Sequence, residues 1–523
     1  MSMTPIDHSF DAPVSEDVAH DPSRRGLLKG GGAAIAAAFA GPIAALSSRV
    51  ANAAECGGAS SLAASPYGET VPTPDLSTGL PLLQLPPGFS YKSFGWTGDL
   101  MADGRVTPGA HDGMGVVRER RVGRSTEYVL VRNHERGTST NGANVMGSGL
   151  PNVPIHDSGV TGTSFQIGGN VNLVFRDGNW VESYTSFGGL NRPCAGGSTL
   201  WGSWLSNEEV LSNNTSSTGK RHGYVFEVPA DISLGQANPN PIIDMGRMAH
   251  EASAIDPETG YWYLTEDQGN ANTLYRFLPN NLQGGLNSLH AGGRLQGLKV
   301  RGVNNANLRF PTLCQEFACE WVDIADPDLN SASVFNVVTN SNTTMSGPYR
   351  QAYANGAAVF GANEGCWVAK GVVWFTDKAT STGTPARSGV IWALDLASMV
   401  LKAVMVGRDR TVMNSPDNLT ISPRGGVLVC EDGGTSGPTS APIVAQHLKV
   451  LNPDGTTSIF ARNNYNFTRA QLDAVGKTAA PSGNQRMSEW AGAVFSADGR
   501  ILFANLYFGL TVAITGPWQR GSL

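Results

Sequence analysis

Four stretches of the chain repeat one layout, a turn carrying glycine followed by a short apolar run that closes on an acid or an amide. They are DPETGYWYLTED at 256–267, SPRGGVLVCED at 422–432, SADGRILFAN at 496–505 and AKGVVWFTD, which ends at Asp377. Upstream of each turn a second apolar run is opened by an acid: Glu251 in HEASAI, Asp417 in PDNLTI, Glu489 in SEWAGAVF and Glu364 in NEGCWV. Opening and closing residues (Glu251 and Glu266, Asp417 and Glu431, Glu489 and Asn505, Glu364 and Asp377) are separated by 15, 14, 16 and 13 positions. An antiparallel hairpin returns to the end from which it started, so each unit brings its two polar residues to one rim.

Two earlier segments fit the same template. One runs from Asp112 in DGMGVV to Glu135 in YVLVRNHE across 23 positions, and the other from Cys194 to Glu209 across 15. The second puts a thiol in the slot that an acid fills elsewhere. Six such hairpins, each with room for two outer strands, predict an all-β chain, a six-bladed β-propeller with irregular insertions over residues 85–523. The 64 glycines and 30 prolines agree, since they break the chain into short runs and no stretch sustains a helical period.

In a propeller the inner hairpin ends ring a central channel, so the acids are expected to converge there. An acid at one strand end is an ordinary solvated turn residue. A ring of them repels itself unless a cation neutralises it, which predicts a metal site. Carboxylates with the amide of Asn133 are hard oxygen donors that suit calcium. The Cys194 thiol suits a transition metal such as iron, its alternative being a small buried hydrophobe. No histidine pair has zinc-ligand spacing, and a net charge of −6 gives nucleic acid no basic patch.

The N-terminus reads as a Tat-type export signal over residues 1–53: SRRGLLK at 23–29, a weakly apolar Ala/Gly run, and ANA at 51–53. Glycines and Pro42 interrupt that run, which argues against a membrane span. Residues 54–84 are expected to form an N-terminal extension. Cys314 and Cys319 are the one cysteine pair near enough in sequence for a local bridge, which the sequence leaves open.

The chain also resembles the PhoX-type alkaline phosphatases. The likeness rests on an ordered series that includes LPPGFSYKSFGWTG at 85–98, RNHE at 132, CAGG and WGSWLSNEE at 194–209, MGRMAHEA at 245, EGCW at 364, PDNL at 416, CEDGG at 430 and AITGPW at 513–518. The resemblance implies a six-bladed propeller, export to the periplasm or beyond, and hydrolysis of phosphate monoesters at a mixed calcium and iron cluster. It implies Cys194 as the iron ligand, and Glu135, Glu209, Glu251, Glu364 and Glu431 as acidic ligands. Asn133, Glu266, Asp267 and Asp417 follow as further ligands or their supports, with Glu489 in a related motif. Arg462, in FARNNYN, matches a phosphate clamp, and Cys194, Glu364 and Arg462 are the catalytic set. The chain departs from the family at Ala362, where an arginine is usual, and at Asn207, where a cysteine is usual.

The expected partners are a small phosphoester and the Tat machinery, with no nucleic acid, no membrane span after cleavage, and a monomeric state. Two other readings stay open at this level. One is a calcium-dependent propeller acting on lactones, aryl esters or phosphotriesters, which needs no thiolate. The other is a non-catalytic propeller that binds through the loops around 137–172 and 280–345.

Overall fold

The computed structural model describes residues 58–159, 164–211, 220–378, 387–435 and 439–523; the expected leader and Cys56 lie outside them. The fold is all-β with a propeller-like arrangement. Hairpin one is His111–Val122 with Ser125–His134, hairpin two Pro193–Ser198 with Ser203–Glu208, and hairpin three His250–Ile255 with Trp262–Glu266. Hairpin four is Asn363–Ala369 with Val372–Asp377, hairpin five Pro416–Ile421 with Val427–Glu431, and hairpin six Trp490–Phe495 with Ile501–Leu506. The first strands of neighbouring hairpins pack on one another in sequence order, and the first strand of hairpin six packs on that of hairpin one.

The sheets built on these hairpins are unequal. Hairpins one and six head four-stranded sheets, and hairpin two a three-stranded one. Hairpins three and four share a nine-stranded sheet, because Glu316–Ile324 pairs with Gly293–Val300 on one side and Val400–Gly407 on the other. Hairpin five gains two outer strands from the N-terminal segment, Val71–Thr73 and Leu83–Leu85. The ring closes through Ser90–Phe94, which pairs with Leu510–Thr515 at the outer edge of the last sheet.

Apolar side chains fill the spaces between neighbouring sheets. Between hairpins two and three lie Leu205, Val225, Trp262, Leu264 and Phe277; between four and five, Trp374, Ile391, Leu419, Val427 and Val429. Between six and one, Tyr128, Leu130, Phe175 and Phe503 pack together, with Phe175 edge to face on Phe503. The inner strands, buried on both faces, therefore read as continuous apolar runs such as VLVC. Each fully buried Leu, Val or Phe contributes about 1.5–3 kcal/mol.

Every hairpin carries a β-bulge at the same place, between His111 and Met114, Pro193 and Gly196, His250 and Ser253, Asn363 and Cys366, Pro416 and Leu419, and Ala491 and Val494. A bulge leaves one residue unpaired and bends the strand. The freed carbonyl is caught by the preceding hairpin. Asn133 Nδ2 donates to Cys194 O at 2.9 Å, Asn207 Nδ2 to Glu251 O at 3.1 Å, and Thr376 Oγ1 to Asp417 O at 2.6 Å. Thr265 Oγ1 donates to Glu364 O, and Asn505 Nδ2 to Asp112 O at 2.6 Å, which closes the circle. Between hairpins five and six the bond runs from Gly492 N to Asn418 Oδ1 at 2.7 Å. Backbones approach so closely here that a Cβ on Gly113 would lie 2.4 Å from Ala195 Cα, and one on Gly365 2.7 Å from Asp417 O.

Cys314 and Cys319 form no bridge with each other. Cys319 is buried in its strand, where its amide bonds Met399 O, while Cys314 sits in a left-handed turn. The irregular segment around 280–345 holds an extra hairpin, Ala332–Asn336 with Ser341–Met345, ahead of the helix Gly347–Ala354.

Asn505→Ala leaves the Asp112 carbonyl unsatisfied at the closing interface. The expected loss is about 1–3 kcal/mol, read as a lower urea midpoint with no change in secondary structure.

Candidate metal centre

The bulge aims one residue of each first strand inward: Asp112, Cys194, Glu251, Glu364 and Asp417, with Ala491 in the sixth position. A second set follows the last paired residue of each second strand: Glu135, Glu209, Asp267, Lys378 and Asp432, then Tyr507. Side chains alternate along a strand, so the residue just before each of these points the other way, into the sheet.

That alternation separates the expected ligands into two groups. Cys194, Glu209 and Glu251 offer donor atoms within 4.8 Å of one another, as do Glu251, Glu364 and Asp417, and then Asp417, Asp432 and Glu489. The triads share Glu251 and Asp417 and so form one continuous chain of donors. Cys194 Sγ lies 3.3 Å from Asp112 Oδ2. Arg192 Nη2 joins Glu135 at 2.6 Å to Glu209 at 2.7 Å, and the Tyr507 hydroxyl donates to Glu135 at 2.7 Å.

Glu431, Glu266, Asn133 and Arg462 stand elsewhere. Glu431 accepts from Asn414 N at 2.8 Å, His447 Nδ1 at 2.7 Å and Lys449 Nζ at 3.0 Å, which occupies its lone pairs inside the sheet. Glu208 and Asp377 do the same in their hairpins: Glu208 holds Asn191 N and His222, and Asp377 holds Ala362 N and Arg387. Glu266 faces the Tyr275 hydroxyl. Both amide atoms of Asn133 are used between sheets, Nδ2 in the latch and Oδ1 by Trp204 Nε1 at 2.9 Å. Arg462 lies on the outer strand Thr457–Asn463, bonded to Thr70 Oγ1 at 3.0 Å and beside His447 Nε2 at 3.2 Å. None of its bonds reaches the donor chain.

Asp432 and Lys378 were missed by the sequence reading, although a signal was present; Asp112 was expected at the rim but not named among the ligands. RNHE, SNEE, LTED, FTDK and VCED all end a strand in paired polar residues, and the second of each pair is the one that faces the channel. Asn207 is the latch to the third hairpin, which gives this departure from the family a structural role. Ala362 occupies the place on hairpin four that Arg192 holds on hairpin two, two residues before the inward residue.

The centre is electrostatically strained. Burial, followed by the charges of Asp417 and Asp112, pushes the Glu251 carboxyl well above its ordinary range. Burial also raises Glu364, Asp112 and Glu489, each with help from neighbouring carboxylates, and carries Asp417 to about 7 and Glu209 to about 8. Cys194 is raised by burial and then by Asp112 and Glu251. Glu431 goes the other way: burial is outweighed by Lys449 and His447, and it falls below its usual value. Glu251 Oε2 has no hydrogen-bond partner although its carboxylate is buried, and Glu364 Oε1 meets only the Lys378 ammonium at 3.2 Å. A cation bound among these oxygens would relieve both the repulsion and the missing partner. The oxygen donors fit calcium, and the thiol end fits a transition metal. Below the donors the channel continues as a cavity of about 240 Å³, lined by small and apolar residues such as Gly113, Ala195, Ala252, Gly365 and Trp367.

Fold and site together define a propeller-like protein with a candidate metal centre on its axis. A family model described as alkaline phosphatase PhoX matches residues 65–508, and the chain belongs to that family. No curated protein matches the chain. Among solved structures it is similar to the PQQ domain of pyranose dehydrogenase from Coprinopsis cinerea, at 11% identity over 83% of this chain and 97% of that one, TM-score 0.34. It is also similar to virginiamycin B lyase from Staphylococcus aureus, at 11% identity over 82% and 99%, TM-score 0.34. A gluconolactonase from Xanthomonas campestris matches at 11% over 60% and 82%, TM-score 0.26.

Raised carboxyls hold protons in the folded state that they release on unfolding. The folded state then binds more protons between about pH 4 and pH 8, and stability falls as pH rises through that window, by about 1.4 kcal/mol per pH unit for each proton difference. The melting temperature of metal-free protein is therefore expected to drop between pH 5 and pH 9, and calcium to remove the drop. A pair of substitutions separates the two carboxylate groups. Glu251→Gln is expected to raise the metal-free melting temperature and weaken calcium binding. Glu431→Gln, which strands Lys449, costs about 3–5 kcal/mol with or without metal, measured by denaturation in chelator and in calcium.

Proposed function

We propose that this protein is an exported, metal-dependent phosphatase that hydrolyses phosphate monoesters at a calcium and iron cluster on the axis of a six-bladed propeller. The observation that carries the reading is the donor chain running from the Cys194 thiol through Glu251 to Asp417, inside the span that matches the PhoX family. The six bulged hairpins and their closed circle of latches support a count of six when the shared nine-stranded sheet is taken as two blades.

In this reading Cys194 with Glu209 holds the transition metal, and Glu251, Glu364, Asp417, Asp432 and Glu489 hold calcium. Such a cluster, when bound, neutralises phosphoryl oxygens and activates an oxygen nucleophile for in-line displacement. The chain's own residues set the geometry. The latches fix each inward residue through its backbone, so the donors are held ready before substrate arrives. Arg192, half exposed, presents a guanidinium at the edge of the donors, where it would bind phosphoryl oxygens in the manner that Ala362 leaves to others. The Tat-type leader supports export to the periplasm or beyond, and no helix among the described residues is long and apolar enough to cross a membrane.

The test is phosphate release from p-nitrophenyl phosphate at alkaline pH with calcium, before and after chelation, alongside elemental analysis. The expected outcome is chelator-sensitive release, with Cys194→Ala losing iron and at least about 100-fold in rate. Release that persists without iron, or in Cys194→Ala, would favour a calcium-only propeller esterase or lactonase. Loaded protein that releases no phosphate sinks the monoesterase assignment.

A further inference from the structure

On the second strands, the residue that faces the channel is an acid in hairpins one, two, three and five, and a lysine in hairpin four. Lys378 Nζ stands 3.2 Å from Glu364 Oε1, 3.6 Å from Asp417 Oδ2 and 2.9 Å from Asp432 Oδ2. Glu364 belongs to one donor triad and Asp432 to the next, and Asp417 belongs to both. The ammonium thus lies at the junction of two oxygen cages. A calcium ion draws its ligands to about 2.3–2.6 Å, so an ion in either cage recruits oxygens that Lys378 already holds. Two cations about 4 Å apart in a partly buried site repel by several kcal/mol.

We propose that Lys378 is a built-in occupant of this junction, an internal counter-ion that takes the place of one divalent cation. The inference rests on reading the acids as metal cages, as above. It gives the centre one metal ion fewer than its carboxylates would otherwise hold. It also explains how three acids from hairpins four and five meet without a metal: the ammonium neutralises them from inside. Glu251 has no such partner. Its Oε2 is buried and unbonded at the other end of the first of these two triads, and that is where calcium is expected to bind first.

The experiment is calcium titration of the full chain by calorimetry, starting from chelated protein, with metal content counted by elemental analysis after dialysis. Lys378→Gln is expected to bind one calcium more than the wild type, or to bind the weakest ion about tenfold tighter. Lys378→Arg, which keeps the charge, is expected to match the wild type. Because the Gln variant leaves acids unneutralised, it is also expected to melt lower than the wild type in chelator and to recover in calcium. Should it fail to fold in chelator, purification in calcium and counting of the bound ions give the same comparison. Equal calcium number and affinity in Lys378→Gln and wild type would overturn the proposal while leaving the metal reading intact. Calcium binding by neither protein would overturn both.

Discussion

The structure depends on a peptide carbonyl held by a neighbour. Five of the six bulges free a carbonyl near the axis that the side chain of Asn133, Asn207, Thr265, Thr376 or Asn505 takes up from the preceding hairpin. The outer parts of the sheets meet through apolar side chains, which are tolerant of small shifts. The latches are directional, and they fix the angle at which each inward residue faces the channel. A bulge without its latch would leave a buried polar group unpaired. The unequal sheets outside this circle show that the outer strands vary freely while the inner geometry does not.

The same circle forces acids together. Burial and mutual repulsion both oppose ionisation of Glu251, Glu364 and Asp112, so the polypeptide alone is at its least comfortable where its chemistry is concentrated. Glu208, Asp377 and Glu431, one residue back along the second strands, show the contrast. They are equally buried, yet His222, Arg387 and Lys449 sit against them and backbone amides complete their bonding. Neighbouring carboxylates on one strand thus divide between holding the scaffold and offering open oxygens.

The hairpins were legible because glycine turns and two-sided apolar runs are local. The pairing of their polar ends followed from the return of an antiparallel strand, and the observed partners, such as His250 with Glu266 and Pro416 with Glu431, lie within one residue of the expected ones. One residue is decisive in a strand, and it turned Glu266 and Glu431 away from the channel while bringing Asp432 and Lys378 in. The bulge was not legible, since it depends on backbone strain and on the next hairpin. Arg462 was placed through a motif, but its strand lies at the outside of its sheet, against the N-terminal segment. The fusion of two sheets through Glu316–Ile324 also escaped the sequence, because a strand's second neighbour is a tertiary choice.

The strand that completes the last sheet, Ser90–Phe94, leaves the ribosome long before its partner Leu510–Thr515 has been made. A nascent chain can form each hairpin as it emerges, but it cannot close the circle until residue 515 is free. Closure of so long a loop is a late and slow step. The meeting of Asp112 with the acids of the last hairpin is thereby postponed to the end of synthesis. Until then the circle stays open between its first and last hairpins, and its inward acids can meet ions from solution. Order of assembly, and not only final geometry, keeps this centre from opposing its own folding.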